Sequence, residues 1–268
     1  AEGLDLKTQL GVDHHNQTYR GYSSVELNNI SMPNGWAEYN NTNSLYWQEE
    51  TYLTYNKVFG EHRLNAMAGL SWTERTENYN KARTEGFSDD FFEDFNMGAG
   101  TTPSAPTSSW ERWRMNSYFL RLAYTYKDRY SATVTTRVDG SSKFGENNKY
   151  AVFPSAGLAW NISQEDFLKD NNTISNLKLH TSYGLTGNSE IDVYKSLARV
   201  TSGTLLLNGV RAPYSYISDM ANPDLKWEKT GQFDLGMEIG LWQNKLSFDV
   251  AYYNKKTTDL LLDCPLPH

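Results

Sequence analysis

Period-two stretches recur along this chain, and the connections between them alternate long, short, long, short. In an extended strand, successive side chains point to opposite faces. In the sequence, Tyr118, Leu120, Leu122, Tyr124 and Tyr126 alternate with Ser117, Phe119, Arg121, Ala123 and Thr125. After Lys127-Asp128-Arg129, the set Tyr130, Ala132, Val134, Thr136 and Val138 alternates with Ser131, Thr133, Thr135 and Arg137. The same pattern follows in Phe233, Leu235, Met237, Ile239 and Leu241, and after a turn in Leu246, Phe248, Val250 and Tyr252. Their alternate positions include Asp234, Glu238 and Asp249, so that face of the wall must be wet.

The pattern predicts about nine strands, near 3–14, 43–58, 62–78, 115–127, 130–139, 150–162, 174–184, 228–241 and 245–257. Short connections fall near 59–61, 127–129, 163–173 and 242–244. Long ones fall near 15–42, 79–114, 140–149 and 185–227. A helical turn capped by Ser163 is expected in the third short connection. Tight turns on one side and long loops on the other are the mark of a transmembrane β-barrel. The expected fold is therefore all-β, a single partial barrel domain over 1–268.

Composition fits this reading. Apolar residues are only 38% of the 268, and no run of 18 of them occurs, so no transmembrane helix is present. A barrel strand turns only one face to lipid and escapes that test. Aromatic residues make up 14%. Trp47, Trp72, Tyr126, Tyr130, Trp160, Trp227 and Trp242 lie near strand ends, where a girdle meets the headgroups. A net charge of −7 argues against a nucleic-acid partner. The one cysteine, Cys264, has no internal partner for a disulfide. The first residues read as strand rather than leader, and an odd strand count leaves edges that lipid does not tolerate. An interior piece of a longer protein is expected.

The second half resembles the SusC/RagA-type TonB-dependent outer-membrane transporters of Bacteroides-like bacteria. The resemblance rests on Arg137-Val-Asp-Gly-Ser-Ser-Lys-Phe-Gly145, Tyr150-Ala-Val-Phe-Pro-Ser-Ala-Gly-Leu-Ala-Trp160 and Glu165-Asp-Phe-Leu-Lys169. Leu177-Lys-Leu179 and Ser182-Tyr-Gly-Leu-Thr-Gly-Asn188 continue it. Asn222-Pro-Asp-Leu-Lys-Trp-Glu-Lys-Thr230 and a segment from Asp249 to Leu261 complete the order. Up to about Trp113 the match is less specific.

These motif residues read as barrel fixtures: Arg137, Asp139, Gly140, Phe144, Gly145, Pro154, Trp160, Gly187, Asn188, Trp227 and Glu228. Arg137 and Asp139 share a strand face and can pair. Gly140, Gly145, Gly184 and Gly187 are expected at positive-φ turns. Pro154 lacks a ladder donor, which marks a bulge or a wall edge.

The resemblance implies a 22-stranded barrel in a Gram-negative outer membrane, amid lipid and lipopolysaccharide, with a plug and a TonB-contacting segment outside this chain. It implies import of a glycan or oligopeptide, TonB as the energy source, and a SusD-like surface lipoprotein as lid. Trp110, Trp113 and Phe95, in the connection 79–114, are the candidate contacts for substrate or lid.

Nothing in the sequence supports catalysis. His14, His15, His62 and His180 have no partners at metal-ligand spacing, and no nucleophile elbow or phosphate loop occurs. Asp89, Asp90, Glu93 and Asp94 are the one carboxylate cluster of a kind calcium takes, without EF-hand spacing. The competing reading is a soluble carbohydrate-binding β-sandwich, which requires a continuous dry core between two sheets and shorter strands. A passive porin is a weaker third.

Overall fold

The computed structural model describes residues 2–27, 34–169 and 171–262. Cys264 lies outside them. Among the described residues twelve strands run in chain order: β1 (Leu4–Ser23), β2 (Trp36–Phe59), β3 (His62–Glu85), β4 (Thr102–Pro103), β5 (Thr107–Tyr126) and β6 (Tyr130–Ser141). They continue with β7 (Tyr150–Asn161), β8 (Ile174–Asn188), β9 (Arg199–Leu207), β10 (Val210–Asp219), β11 (Glu228–Leu241) and β12 (Leu246–Thr258).

One sheet carries the order β1-β2-β3-β5-β6-β7-β8-β11-β12. Each strand lies beside the next one in the chain, apart from the short β4, which pairs with β3, and the β9–β10 hairpin, which forms a sheet of its own. This up-and-down order is the one expected from the alternating connections, and all nine expected wall strands are present.

Registers show how the two faces arise. Leu122, Val134, Ala156, Tyr183 and Phe233 stand opposite one another across five strands. One residue along, Ala123, Thr133, Gly157, Ser182 and Asp234 do the same on the other face. Side-chain period two thus makes one oily and one polar surface. Leu120, Leu122, Val134 and Leu235 are exposed, at 42–55% of their full accessibility, with no second sheet over them. The dry inter-sheet core of a sandwich is therefore missing among the described residues. The wall strands, 12 to 24 residues long, also exceed the usual sandwich length.

Strands extend further than alternation alone indicates. β1 continues to Ser23 and β2 begins at Trp36, so much of the expected connection 15–42 is strand. β3 reaches Glu85 and β5 starts at Thr107. The reason lies in the side chains. Asn41 donates to Asn16 and Thr18, and Asn43 bonds His14, on one face. On the other, Glu38 holds Lys81 and Arg83. Where both faces are polar, the amphipathic signal disappears although the ladder continues. The β9–β10 hairpin, turning at Asn208-Gly209 with positive φ at both, lies inside what reads as the connection 185–227.

Two compact units emerge from the contacts. One comprises Ala1–Gln9, Glu49–Trp72 and Arg114–His268; the other comprises Leu10–Gln48 and Thr73–Trp113. The third short connection holds a 3-10 turn, Ile162–Gln164, but its N-cap position is Asn161 and carries no side-chain cap. Ser163 sits within the turn and donates to Asn161 Oδ1 instead, at 2.8 Å. A three-residue turn presents too few free amides to reward the expected cap.

Candidate functional site

Several motif residues of the second half converge on one knot, while Trp160 and Glu165 lie at the short-turn end. Phe144, Ala151, Phe153 and Trp227 form a buried cluster at the long-connection ends of β6, β7 and β11, with Met115, Leu185, Ile191, Leu225 and Leu261 around it. The Trp227 ring lies 4.8 Å from Phe144 and 5.5 Å, edge-on, from Phe153. Its indole N–H donates to the Lys149 carbonyl at 3.0 Å. A buried aromatic with its polar end satisfied is a strong anchor. Trp227 therefore belongs to the knot and not to a girdle.

Backbone and polar bonds tie the connections into the knot. Gly145 donates to the Leu225 carbonyl at 3.0 Å, and Asn148 donates to that of Asp224. Asn188 bonds one oxygen of Glu228, and the Leu261 amide bonds the other. Arg137 Nε donates to Asp139 at 2.7 Å, and its Nη2 donates to Ser117, as the shared strand face requires.

The motif glycines serve close approach rather than left-handed backbone. None of Gly140, Gly145, Gly184 and Gly187 is at positive φ. A Cβ on Gly140 would meet the Tyr150 ring at 2.3 Å, and one on Gly187 the Phe153 ring at 2.2 Å. Strand residues with a ring lying across them need an absent side chain, not a special φ. Pro154 lies within β7, opposite Thr136 of β6 and without a bulge, and the ladder to β8 begins only at Ser155. Its missing N–H thus falls at the edge of that ladder.

At the short-turn end, Tyr126, Tyr130 and Trp160 lie in register, and the last two rings stack at 6.3 Å. Trp242 projects from the β11–β12 turn, half exposed. Beneath this belt the buried Glu165 accepts from Tyr130 at 2.5 Å, Trp160 at 3.0 Å and Arg129 at 3.0 Å. The Tyr130 and Trp160 hydrogen bonds hold its carboxyl below the ordinary value of 4.5.

Trp110 and Trp113 lie on β5 rather than in a loop, and their odd spacing sends them to opposite faces. Trp113 tilts against Tyr46 with centroids 6.4 Å apart, while Trp110 is exposed. Phe95 stands in the connection 86–106 over the Arg20 guanidinium. The two tryptophans therefore share no surface.

Sequence reasoning missed what holds that connection. Asp90 accepts hydrogen bonds from Tyr22 Oη, from Ser24 Oγ at 2.5 Å and from the Val25 amide at 2.9 Å. Asp94 pairs with Arg20 at 3.8 Å, and Asp89 accepts from the Phe91 amide. Asp89, Asp90 and Asp94 thus turn to different partners, and among the described residues no group of three or more His, Cys, Asp or Glu is placed for a metal ion. Partners so distant in sequence leave no local signal.

Comparison with known proteins completes the picture. The family described as TonB dependent receptor-like, beta-barrel matches residues 2–267. TonB-dependent receptor P3 of Formosa agariphila is 36% identical over 99% of this chain and 27% of that protein. TonB-dependent receptor SusC of Bacteroides thetaiotaomicron is 38% identical over 56% of this chain and 16% of its own length. The structure of the RagAB peptide transporter superposes with a TM-score of 0.90 at 31% identity, over 100% of this chain and 30% of that one. The chain spans less than a third of the length of each of these relatives.

Proposed function

The chain belongs to the TonB-dependent receptor-like β-barrel family, and from that premise we propose that it is wall and loops of an outer-membrane importer of the SusC/RagA type. The importer takes up a large nutrient, a glycan or an oligopeptide. TonB supplies the energy, and a SusD-like surface lipoprotein covers the mouth at the long-loop end. Its role is transport and not catalysis.

One observation carries this reading. The oily face runs in register across five strands and is exposed, with no protein layer over it among the described residues. A water-soluble monomer rarely leaves so continuous an apolar surface open, whereas acyl chains solvate it at no cost. The opposite face carries Arg137, Asp139, Lys178, Glu238 and Asp234, paired with one another or with Ser117 and Ser182, as the wall of an aqueous lumen would. Together these faces favour a barrel wall over a soluble carbohydrate-binding β-sandwich.

The test is extraction of the tagged full-length receptor from its native outer membrane. Detergent dependence and a stoichiometric surface lipoprotein are the expected outcome. A protein that is recovered in detergent-free buffer, or that is monodisperse and carries no lipoprotein, overturns the proposal.

A further inference from the structure

The connection 86–106 has part of its polarity reversed. In the run Asp89-Asp-Phe-Phe-Glu-Asp-Phe95, water would favour carboxylates outward and phenyl rings inward. The opposite is found for Asp90, Asp94, Phe91 and Phe95. Asp90 is turned in and held by Tyr22, Ser24 and Val25, and the Asp94 side chain is only 14% exposed beside Arg20. Phe91 and Phe95 are 82% and 78% exposed. The base of the loop is equally fixed: Phe87 is buried edge-on against Tyr22, and its amide donates to the Asn34 carbonyl at 2.8 Å.

We infer that this loop is a preformed aromatic knob that docks into an apolar, basic-rimmed groove on the surface lipoprotein covering the receptor. The inference rests on the functional reading above and adds to it the contact surface and its chemistry. The shape argues for a groove. Phe91 and Phe92 meet edge-to-face, with centroids 4.8 Å apart and planes at 89°, so they form a protruding wedge and not the flat platform on which a sugar ring stacks. Phenylalanine also has no polar handle for a hydroxyl-rich ligand.

Charge decides the rim. Asp89 and Glu93 stay exposed beside the rings, so the complementary surface carries lysine or arginine around its pocket. The same two carboxylates repel an anionic lipid surface, which argues against membrane anchoring. Because Asp90 and Arg20 already order the loop, little conformational entropy remains to be lost on docking.

The test titrates the purified lipoprotein, freed of its lipid anchor, onto full-length receptor in detergent. Three receptors are compared: the unaltered one, Phe91→Ser with Phe95→Ser, and Asp89→Asn with Glu93→Gln. The expected losses are about tenfold or more for the phenylalanine pair and severalfold for the carboxylate pair, the latter vanishing at high salt. Limited proteolysis of the loop, unchanged in both variants, shows that the scaffold persists. No binding by the unaltered receptor means that the functional reading fails. Binding by the unaltered receptor and equal binding by the phenylalanine variant overturns the knob alone. Retained lipoprotein binding with loss of binding to a pool of tryptic casein peptides assigns the rings to cargo and also overturns it.

Discussion

The Pro223 carbonyl oxygen fills the space that a side chain on Gly145 would need: a Cβ there would lie 1.9 Å from it. The two residues belong to different connections, and the Gly145 amide donates to Leu225 two positions further on. Phe144, the neighbour of Gly145, packs tilted against Trp227. One methyl group at Gly145 therefore forces apart the backbone contact that seats the aromatic pair.

Gly145→Ala is expected to destabilise the receptor by about 1–3 kcal/mol, the usual cost of overpacking a tight site. The measurement is the temperature at which full-length receptor loses its compact, SDS-resistant form. An unchanged transition temperature would show that the connection slides without cost.

Two adjacent residues on β6 separate the faces. Val134 lies on the exposed oily face and Thr133 on the polar one. Val134→Arg is expected to cost roughly 2–4 kcal/mol if it meets the middle of a bilayer, and Thr133→Arg far less. Folding yield in vesicles reads the difference. Equal tolerance of both substitutions would sink the assignment of faces.

At the short-turn end, Glu165 titrates in a defined direction. The Tyr130 and Trp160 hydrogen bonds lower its folded value beneath 4.5, so the ionised form is favoured in the folded state. Its stabilising contribution is complete above that value and disappears as pH falls through the lower, folded one. Glu165→Gln should remove this acid-side dependence. Trp160 fluorescence during unfolding, followed from neutral pH to below 4.5, is the readout. Parallel acid profiles for the two proteins would count against it.

The wall was legible because a sheet with one oily and one polar face imposes a strict period of two: β6, β7 and β11 begin where Tyr130, Tyr150 and Glu228 mark them. Where both faces are polar the code changes. The Asn41 and Asn16 pairing, polar on both sides, looks like loop although it is ladder. The motif positions could be picked out in the sequence, but their mutual contact could not, since the cluster brings Trp227 from far along the chain onto Phe144 and Phe153. Aromatic content alone could not separate a girdle tryptophan from one in the knot, because both sit near strand ends. The Trp110 and Trp113 pair illustrates a further limit, as a strand start placed too late turns opposite faces into one loop.

The Asp90 latch yields the last prediction. Its carboxylate accepts from Ser24, Tyr22 and the Val25 amide, and these bonds, Ser24 first, hold its carboxyl below the ordinary 3.8. A carboxylate with several donors is a stronger fastening than a neutral acceptor. Asp90→Ala removes all three bonds at once. The loop should then open, and chymotrypsin should cut at Phe91 or Phe92 at least about tenfold faster, while the barrel transition temperature stays unchanged. In the unaltered receptor the folded form stays ionised as pH falls past 3.8, so protection should persist to that point and fail only in stronger acid. Cleavage that accelerates near pH 6 instead, where Asp90 is fully charged, would show that another group fastens the loop.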